Sequence, residues 1–304
     1  MIVVGGENLI DLVQSSELPE FKAIPGGSQY NCALAMGRLG LRPRYITPIS
    51  SDKMGDLLVS TLSQGGVEVA SSRPNLPSSI AIVSLDNGQP SYQFYRDGTA
   101  ERAVTQEALL HIIPRETKIF QLGSLSLCDG IDAEIWSDLF VKLSRQGVNC
   151  SLDPNIRPSF IKNRAAYIKR LETMIKVATV VKLSDEDLSW LYPDTDIEEK
   201  ALELASWSNA KLLVLTKGSE GASIFSGSQV VKVLAATVTD LKDTVGAGDT
   251  FMAALNYKMI SDPDLGSKET LKEIGNFAAR AAAINCSRPG CNPPYFHEID
   301  TKAL

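Results

Sequence analysis

Histidine and cysteine are scarce in this chain of 304 residues, and their positions argue against several kinds of site. His111 and His297 are the only histidines, so a histidine-based metal centre has too few ligands. The five cysteines are an odd number and include no Cys-x-x-Cys pair, which indicates reduced thiols rather than a disulfide framework or a zinc site.

Long apolar runs and a signal peptide are also missing. The Ala-rich stretch near Ala278 is interrupted by Arg280 and Asn285, and so it stays short of the roughly 18 apolar residues that a membrane span needs. Met1 leads directly into an apolar segment, without the basic start and small-residue cleavage site of a signal peptide. We therefore expect a cytoplasmic protein with no membrane partner.

Charge and motif content exclude further classes of function. Lys and Arg number 30 against 36 Asp and Glu, a net charge of −6, and the basic residues are scattered, which argues against a nucleic-acid partner. The chain contains no G-x-x-x-x-G-K-[ST] motif, no G-x-G-x-x-G motif and no G-x-S-x-G motif. It is therefore not a P-loop enzyme, and a dinucleotide-binding domain or a serine hydrolase lacks support.

Short apolar runs alternate with amphipathic stretches along most of the chain. The runs predict short buried strands of at most six residues, and the amphipathic stretches predict helices. This alternation predicts an α/β fold with a mostly parallel sheet and helices on both faces. Length alone suggests two domains, but α/β proteins this long are often one, and we expect a single domain over residues 1–304. The predicted strands are 2–4, 117–122, 149–152, 179–183 and 211–215, and the clearest predicted helices are 134–145 and 167–177.

One segment breaks the alternation. Residues 78–96 contain two β-rich runs around Asn87-Gly88, a pair that is a strong hairpin signal. With the early segment beside it, this hairpin predicts a small β-appendage built from about 9–21 and 78–100. Because ligands of α/β proteins bind beyond the carboxyl ends of the strands, the appendage is a candidate lid.

The strongest local motif is Asp-Thr-Val-Gly-Ala-Gly-Asp-Thr, which ends at Thr250 and leads at once into an apolar helix. Two glycines let the backbone approach a ligand, and the amides of Gly246, Ala247 and Gly248 then point from a helix N-terminus toward negative charge. Asp249 lies at the mouth of this anion hole and can accept a proton from an attacking hydroxyl. The alternative is a glycine turn in which Asp249 is an ordinary N-cap.

Three weaker motifs carry polar side chains at predicted loop positions. Gly26-Gly27 turns into a helix that presents Asn31, and amide donors at a helix start suit sugar hydroxyls. Asn155 and Arg157 stand between two prolines directly after a predicted strand, where the arginine can hold a phosphate or a carboxylate. The glycine-containing loop after the strand at 211–215 can cover a nucleotide, although by itself it also fits a plain hairpin turn.

These motifs, in this order and at these separations, resemble those of the ribokinase-like family of carbohydrate kinases. The resemblance covers nearly the whole chain, and its most specific parts are Gly26-Gly27…Asn31 and Asp243…Asp249. It implies a three-layer α/β/α sandwich with a small β-lid, a homodimer formed through that lid, and transfer of the γ-phosphoryl group of ATP to a primary sugar hydroxyl with Mg²⁺.

Roles follow from the resemblance position by position. Asp249 would be the general base, above the anion hole of Gly246, Ala247 and Gly248. The substrate-binding residues would be Asp11, Gly26, Gly27, Asn31, Arg96, Asn155 and Arg157. The ATP-binding residues would be Ser184, Thr216, Lys217, Gly218, Ser219, Gly221 and Gly248, with Asp187 near the magnesium and phosphates.

Many members of the family also bind a monovalent cation, which here would be K⁺. Its ligands would come from Asp243, Val245, Asn285, Arg288 and Gly290. Two positions depart from the family pattern. Pro294 stands where some members have a serine ligand for the cation, and Ala279 stands where relatives often carry Asn or His near the nucleotide.

The identity of the sugar has two leading interpretations. The run from Phe94 to Arg102, the segment Asp153–Pro158 and the Cys286–Pro294 tail resemble bacterial fructokinases and favour fructose. Kinases of 2-keto-3-deoxygluconate share a lid arginine and an Asn-x-Arg loop, whose arginines meet a carboxylate. Arg96, Arg102 and Arg157 fit either substrate, and a ribokinase or a non-catalytic sugar- or nucleotide-binding relative are the remaining alternatives.

Overall fold

The computed structural model describes residues 1–14, 20–86, 89–261 and 263–299. Its strands are β1 (Ile2–Val4), β2 (Leu9–Gln14), β3 (Phe21–Gly26), β4 (Arg44–Tyr45), β5 (Glu68–Val69), β6 (Ile80–Asp86), β7 (Gln89–Tyr95), β8 (Ile119–Gly123), β9 (Asn149–Asp153), β10 (Val180–Ser184), β11 (Leu212–Thr216), β12 (Ala222–Ser226) and β13 (Gln229–Val233). Its helices are α1 (Ser28–Arg38), α2 (Lys53–Gln64), α3 (Gln106–Ile112), α4 (Ile131–Arg145), α5 (Arg164–Val177), α6 (Asp185–Leu191), α7 (Ile197–Trp207), α8 (Ala247–Met259) and α9 (Lys268–Cys286). Within those described ranges, no helix is both long and apolar enough to cross a bilayer.

Nine strands form the main sheet, in the order β13-β12-β11-β10-β9-β8-β1-β4-β5. The pairs from β11 to β5 are parallel, and β12 and β13 add an antiparallel edge. The predicted mostly parallel sheet is confirmed. The strand predictions agree to within two residues at each end, while α4 and α5 each begin three residues before the predicted start.

The core occupies both faces of this sheet. Ile2 and Val4 of β1 face one apolar cluster with α1, α2, α8 and α9, whereas Val3 faces a second cluster with α3 to α7. This division follows from the strand geometry, because successive side chains point to opposite faces. The predicted α/β/α sandwich is therefore confirmed.

A second sheet has the order β3-β2-β6-β7, and we call it the lid. Strand β2 pairs in parallel with β6, and the β2–β3 and β6–β7 pairs are antiparallel. The predicted hairpin corresponds to β6 and β7, and its Asn87-Gly88 turn lies outside the described residues, as do 15–19. The lid also takes in the whole of β3, so it extends beyond the predicted limit at residue 21 to Gly26.

Candidate active site

The carboxyl ends of the parallel strands and the first turns of α1 and α8 meet around Asp249. The Ser28 hydroxyl donates to Oδ1 of Asp249 at 2.7 Å, and the Asn31 amide donates to Oδ2 at 2.9 Å. The Asn155 amide is 3.5 Å from Oδ1. The structure thus brings Asn31 and Asn155, two of the predicted substrate-binding residues, to the predicted base.

The first turn of α8 leaves backbone donors open. Gly246 is the N-cap in a left-handed conformation with φ 76°, and its carbonyl accepts from Thr250 as the helix begins. The amide of Ala247 donates to Thr244, but within the described residues the amides of Gly248 and Asp249 donate to no acceptor. Two open amides at a helix N-terminus form a site that favours an anion.

The electrostatic environment of Asp249 combines burial with donors. Burial raises the pKa of this carboxyl, and the hydrogen bonds from Ser28 and Asn31 and the charges of Lys182 and Arg157 oppose that rise. A carboxylate that is desolvated but hydrogen-bonded by neutral donors can still accept a proton from a hydroxyl group.

Lys182 is a charged residue beside the amides of Gly248 and Asp249. Its side chain is 4% exposed, and its ammonium lies 3.0 Å from Oδ1 of Asp153 on the adjacent strand. A Cβ built on Gly248 would come within 3.5 Å of Nζ, so the ammonium adjoins the open amides. Burial lowers the pKa of Lys182, but Asp153 and Asp187 outweigh it, and the net pKa is raised. A lysine inside an otherwise apolar strand was the signal for this group.

Residues predicted to bind sugar hydroxyls lie where the lid joins the main domain. Oδ2 of Asp11 is close enough to Gly26 that any side chain there would collide with it, at 2.5 Å from a built Cβ. Asp11 forms no hydrogen bond or ion pair with another described residue, and partial burial raises its pKa to about 6. Oδ1 of Asn31 is buried and likewise accepts nothing from the described residues.

Gly27 holds the start of α1 in place. It has φ 108°, and a Cβ there would meet the Glu7 carbonyl at 3.0 Å. Oε1 of Glu7 accepts the Ser28 amide at 2.8 Å, and so Glu7 caps a helix that has no cap of its own. Sequence reasoning missed Glu7, since a helix is rarely capped by a residue 21 positions away.

The three arginines considered for the substrate have different surroundings. Arg96 is buried and binds both carboxylate oxygens of Glu101, at 2.8 and 3.2 Å. Arg102 binds both oxygens of Asp132. Arg157 is exposed and donates only to the carbonyls of its own loop among the described residues. Glu101 therefore already neutralises the charge of Arg96, and a role of Arg96 in binding the substrate stays a prediction.

The predicted nucleotide residues form the loops after β10 and β11. The Lys217 ammonium lies 2.6 Å from the Glu198 carboxylate and faces it rather than open solvent. The Thr216 hydroxyl donates to the Leu183 carbonyl at 3.4 Å. Gly221, with φ 96°, passes so close to β13 that a built Cβ would reach the Val233 carbonyl at 2.1 Å. Gly218 and Ser219 form the short 3₁₀ turn between these residues.

Ser184 and Asp187 are tied into the local structure by a capping box at the start of α6. Asp187 accepts the Ser184 amide with one oxygen at 2.9 Å and the Ile156 amide with the other at 2.7 Å. Both carboxylate oxygens therefore face amide donors. Asp187 thus fixes the Asn155–Arg157 loop, and its place near magnesium and the phosphates stays a prediction.

Four of the five predicted cation residues lie on two loops that the structure joins, and the fifth, Asn285, lies at the end of α9. Oδ1 and Oδ2 of Asp243 accept the amides of Val245 and Gly290 at 2.9 and 3.0 Å. The Asn285 side chain donates to the Val245 carbonyl at 2.8 Å. Arg288 contributes only backbone here, since its guanidinium pairs with Glu298. A carboxylate and carbonyls are the oxygen donors that a hard cation takes.

Open helix amides beside a buried carboxylate, at the carboxyl edge of an α/β sheet, are the groups that phosphoryl transfer to an alcohol requires. The chain matches the pfkB family carbohydrate kinase model over residues 1–297, and it belongs to that family. The resemblance drawn from the motifs is thereby confirmed.

Several known proteins are similar to this chain. A fructokinase of Rhizobium leguminosarum bv. trifolii is 40% identical over 287 residues, which cover 92% of this chain and 86% of that protein. The solved structure of a fructokinase with bound ATP from Xylella fastidiosa matches with a TM-score of 0.90 and 27% identity, over 98% of this chain and 96% of that one. An uncharacterized sugar kinase from Pyrococcus horikoshii in complex with ATP matches with a TM-score of 0.83 and 28% identity, over the same shares.

Proposed function

We propose that this protein is an ATP-dependent fructokinase. The observation that carries the proposal is the arrangement around Asp249, where a buried carboxylate adjoins two open amides and an ammonium. The resemblance to a fructokinase at 40% identity and to a fructokinase structure with bound ATP supports the choice of sugar and nucleotide.

The mechanism follows from where these groups lie. A primary hydroxyl of the sugar gives its proton to Asp249 while its oxygen bonds to the γ-phosphorus of ATP, and the bond to the bridging oxygen breaks to release ADP. The amides of Gly248 and Asp249 and the Lys182 ammonium face the charge on the phosphoryl oxygens, which is the main form of stabilisation in phosphoryl transfer. Asp11, Asn31 and Asn155 would bind the other hydroxyls of the sugar, beside Gly26 and Gly27.

The charge balance of the site favours a neutral sugar over a keto acid. A buried arginine that recognises a carboxylate has to be free of other carboxylates, and Arg96 and Arg102 are each bound to one already. Arg157 alone of the three has no acidic partner among the described residues, and its exposed position suits a phosphate. We assign Arg96 to holding the base of the lid.

Ions and nucleotide would complete the site. The nucleotide would lie along the loops of Ser184 and Thr216–Gly221, with Mg²⁺ on its phosphates to neutralise their charge. The oxygen donors of Asp243 and the loop carbonyls fit a monovalent cation such as K⁺, which would add positive charge behind the anion hole. Asp243 already links the two loops through backbone amides, so a cation there would act on the start of α8.

The lid supports an assembly proposal. Phe21 on the edge strand β3 is 42% exposed and Tyr95 at the end of β7 is 51% exposed, so both edges of the small sheet carry an exposed aromatic ring. We propose that the lids of two chains pair in a homodimer. The five free thiols fit a reducing, cytoplasmic setting.

The experiment that tests the function is ADP release with MgATP and potassium, comparing fructose, 2-keto-3-deoxygluconate, ribose and a nucleoside. We expect kcat/KM for fructose at least tenfold above the others, which is about 1.4 kcal/mol of transition-state binding. A preference for the keto acid would retain the kinase and overturn the sugar assignment. No turnover with any acceptor would favour a non-catalytic relative.

A further inference from the structure

A chain of buried amide side chains leads from the core of the protein to Asp249. The side chain of Asn256 donates to Gln121 at 2.9 Å, Gln121 donates to Gln29 at 3.0 Å, and Gln29 donates to the Ser28 hydroxyl at 3.3 Å. The Ser28 hydroxyl donates in turn to Asp249 at 2.7 Å. Asn256, Gln121 and Gln29 are each 0% exposed, so water does not compete for these bonds.

Every hydrogen bond in this chain points the same way, and two features fix that direction. The Gln121 Nε2 group also donates to the Leu122 carbonyl at 3.3 Å, which can only accept, so Nε2 must be the end that faces Gln29. Gln29 must then present its oxygen to Gln121 and its NH₂ to Ser28. At the other end an ionised Asp249 can only accept, and so the Ser28 hydroxyl must donate to it.

The backbone makes room for the central amide. A Cβ on Gly6 would lie 2.3 Å from Cγ of Gln29, and a Cβ on Gly123 would lie 3.0 Å from its Nε2. Two glycines on different strand ends therefore admit this side chain between them. Asn256 and Asp249 lie seven residues apart on α8. The series of side-chain hydrogen bonds therefore leaves that helix, passes through residues of β8 and α1, and returns to α8.

We propose that Asn256, Gln121 and Gln29 are positioning residues that lock the Ser28 hydroxyl as a donor to Asp249, and thereby keep the base oriented and ionised. The proposal rests on the proposed role of Asp249. Hydrogen bonds in such a chain polarise one another in a buried site, so loss of an early link weakens the last bond. Without Gln121, the Gln29 amide is free to rotate by half a turn. The Ser28 hydroxyl can then donate to the amide oxygen of Gln29 instead of to Asp249.

Other charges around the base have to be held constant in any test. The titratable and charged groups that act on Asp249 from the packed elements are Glu7, Cys32, Asp153, Lys182, Arg157 and Cys291. None of them is a member of the amide chain, so substitutions at Gln121 leave them in place.

The test uses one substitution at Gln121 and one control. Gln121→Met removes the link at similar size and adds no charge near the base. Ser151→Ala is the matched control, because Ser151 lies opposite Gln121 on β9, and its buried hydroxyl has no partner among the described residues. We expect the control to keep the wild-type pH–rate profile of kcat/KM.

We expect the acid limb of the profile to move upward by about 0.5 to 1 pH unit in Gln121→Met, since one hydrogen bond to a carboxylate is at stake. The KM for ATP should stay unchanged. In a Ser28→Ala background, Gln121→Met should shift the limb no further, because the chain acts through that hydroxyl. Equal and additive effects in both backgrounds, or an unchanged profile, would overturn the proposal.

A second readout separates this proposal from the proposed function. The pKa of the Asp249 carboxyl can be followed by ¹³C NMR of Asp-labelled protein, with the signal assigned from Asp249→Asn, and it needs no turnover. If no sugar is phosphorylated yet Gln121→Met raises that pKa, the kinase assignment fails and the amide chain stands. If turnover is normal and the pKa is unmoved, the amide chain fails alone.

Discussion

Asp249 is the residue on which the proposed chemistry depends, and three side chains from other elements direct polar hydrogens at it. Because both oxygens are engaged by neutral amides and a hydroxyl, the carboxylate is oriented before any sugar arrives. We expect Asp249→Asn to lower kcat by roughly 10²–10⁴-fold, the usual contribution of a general base. The affinity for ATP, measured by calorimetry, should be retained.

The control for that substitution is Asp138→Asn on the exposed face of α4. It removes the same charge from the surface and should leave both kcat and ATP affinity unchanged. Turnover near the wild-type value in Asp249→Asn would contradict the assignment of the base.

Glu7 gives the fold a pH dependence of its own. Burial raises its pKa from 4.5 to about 7, because Oε2 has no hydrogen-bond partner among the described residues, even though the nearby Arg96 opposes the rise. The folded state therefore holds a proton that the unfolded chain releases above about pH 4.5. The contribution of Glu7 to the free energy of unfolding is complete below pH 4.5 and is lost as the pH rises through about 7. The total loss amounts to about 3 kcal/mol.

We expect Glu7→Gln to be more stable than the wild type at pH 8 and similar to it at pH 5, as measured by urea unfolding. The exposed Glu68→Gln should show no such difference between the two pH values. A wild-type stability that rises between pH 5 and pH 8 relative to Glu7→Gln would contradict this account.

Lys182 combines a structural and an electrostatic role, and two variants separate them. Lys182→Met leaves Asp153 buried without its partner, which should cost about 3–5 kcal/mol of stability. Replacing both residues, as Lys182→Met with Asp153→Leu, should recover much of that stability in urea unfolding while kcat stays low. Recovery of kcat together with stability would show that the ammonium does not act on the phosphoryl group.

At the scale of elements, the start of α8 depends on a glycine for two reasons. Gly246 has φ 76°, and a Cβ there would lie 2.3 Å from Sγ of Cys291. Gly40 has a similar φ of 88° with nothing within 4 Å of a built Cβ. Gly40→Ala therefore measures the backbone cost alone, about 1–2 kcal/mol.

Gly246→Ala should lose more stability than Gly40→Ala in thermal or urea unfolding, and its kcat should fall because the amides of α8 move. Adding Cys291→Ala should recover part of the stability by relieving the contact. Equal losses at the two glycines would show that the Cys291 contact is not a constraint.

At the scale of the whole molecule, the lid would join the proposed substrate site to the proposed dimer. Strand β2 carries Asp11 into the site, and β3 and β7 form the edges of the same sheet. An exposed edge invites pairing with another strand, and burial of the edge aromatics would favour a second copy of this chain. Closure over the sugar would also exclude water and limit ATP hydrolysis.

Phe21→Glu is expected to weaken the proposed dimer and raise the monomer fraction in sedimentation velocity at micromolar concentration. Leu202→Glu is the control, since Leu202 is 47% exposed on α7, away from the lid. A wild-type protein that is monomeric throughout the concentration range, or a Phe21→Glu protein that stays dimeric, would contradict assembly through the lid.

Much of this architecture could be predicted from the sequence. Apolar runs located five strands of the main sheet, because a buried parallel strand must be apolar on both faces. The glycines of the Asp243–Asp249 motif located the anion hole, because close backbone approach needs residues without side chains. Strand β3 could not be recognised, because its pairing with β2 in the lid, and not its own alternation, decides its structure.

The sequence by itself thus determined the local elements, the class of fold and the motif that carries the proposed base, since these depend on residues within a few positions of one another. The tertiary structure decided which distant side chains meet. It placed Ser28 against Asp249 across 221 positions, paired Lys182 with Asp153 through the register of β9 and β10, and paired Arg96 with Glu101. Such contacts depend on strand order and on burial. The partner of each charged side chain is therefore decided only when the core is assembled.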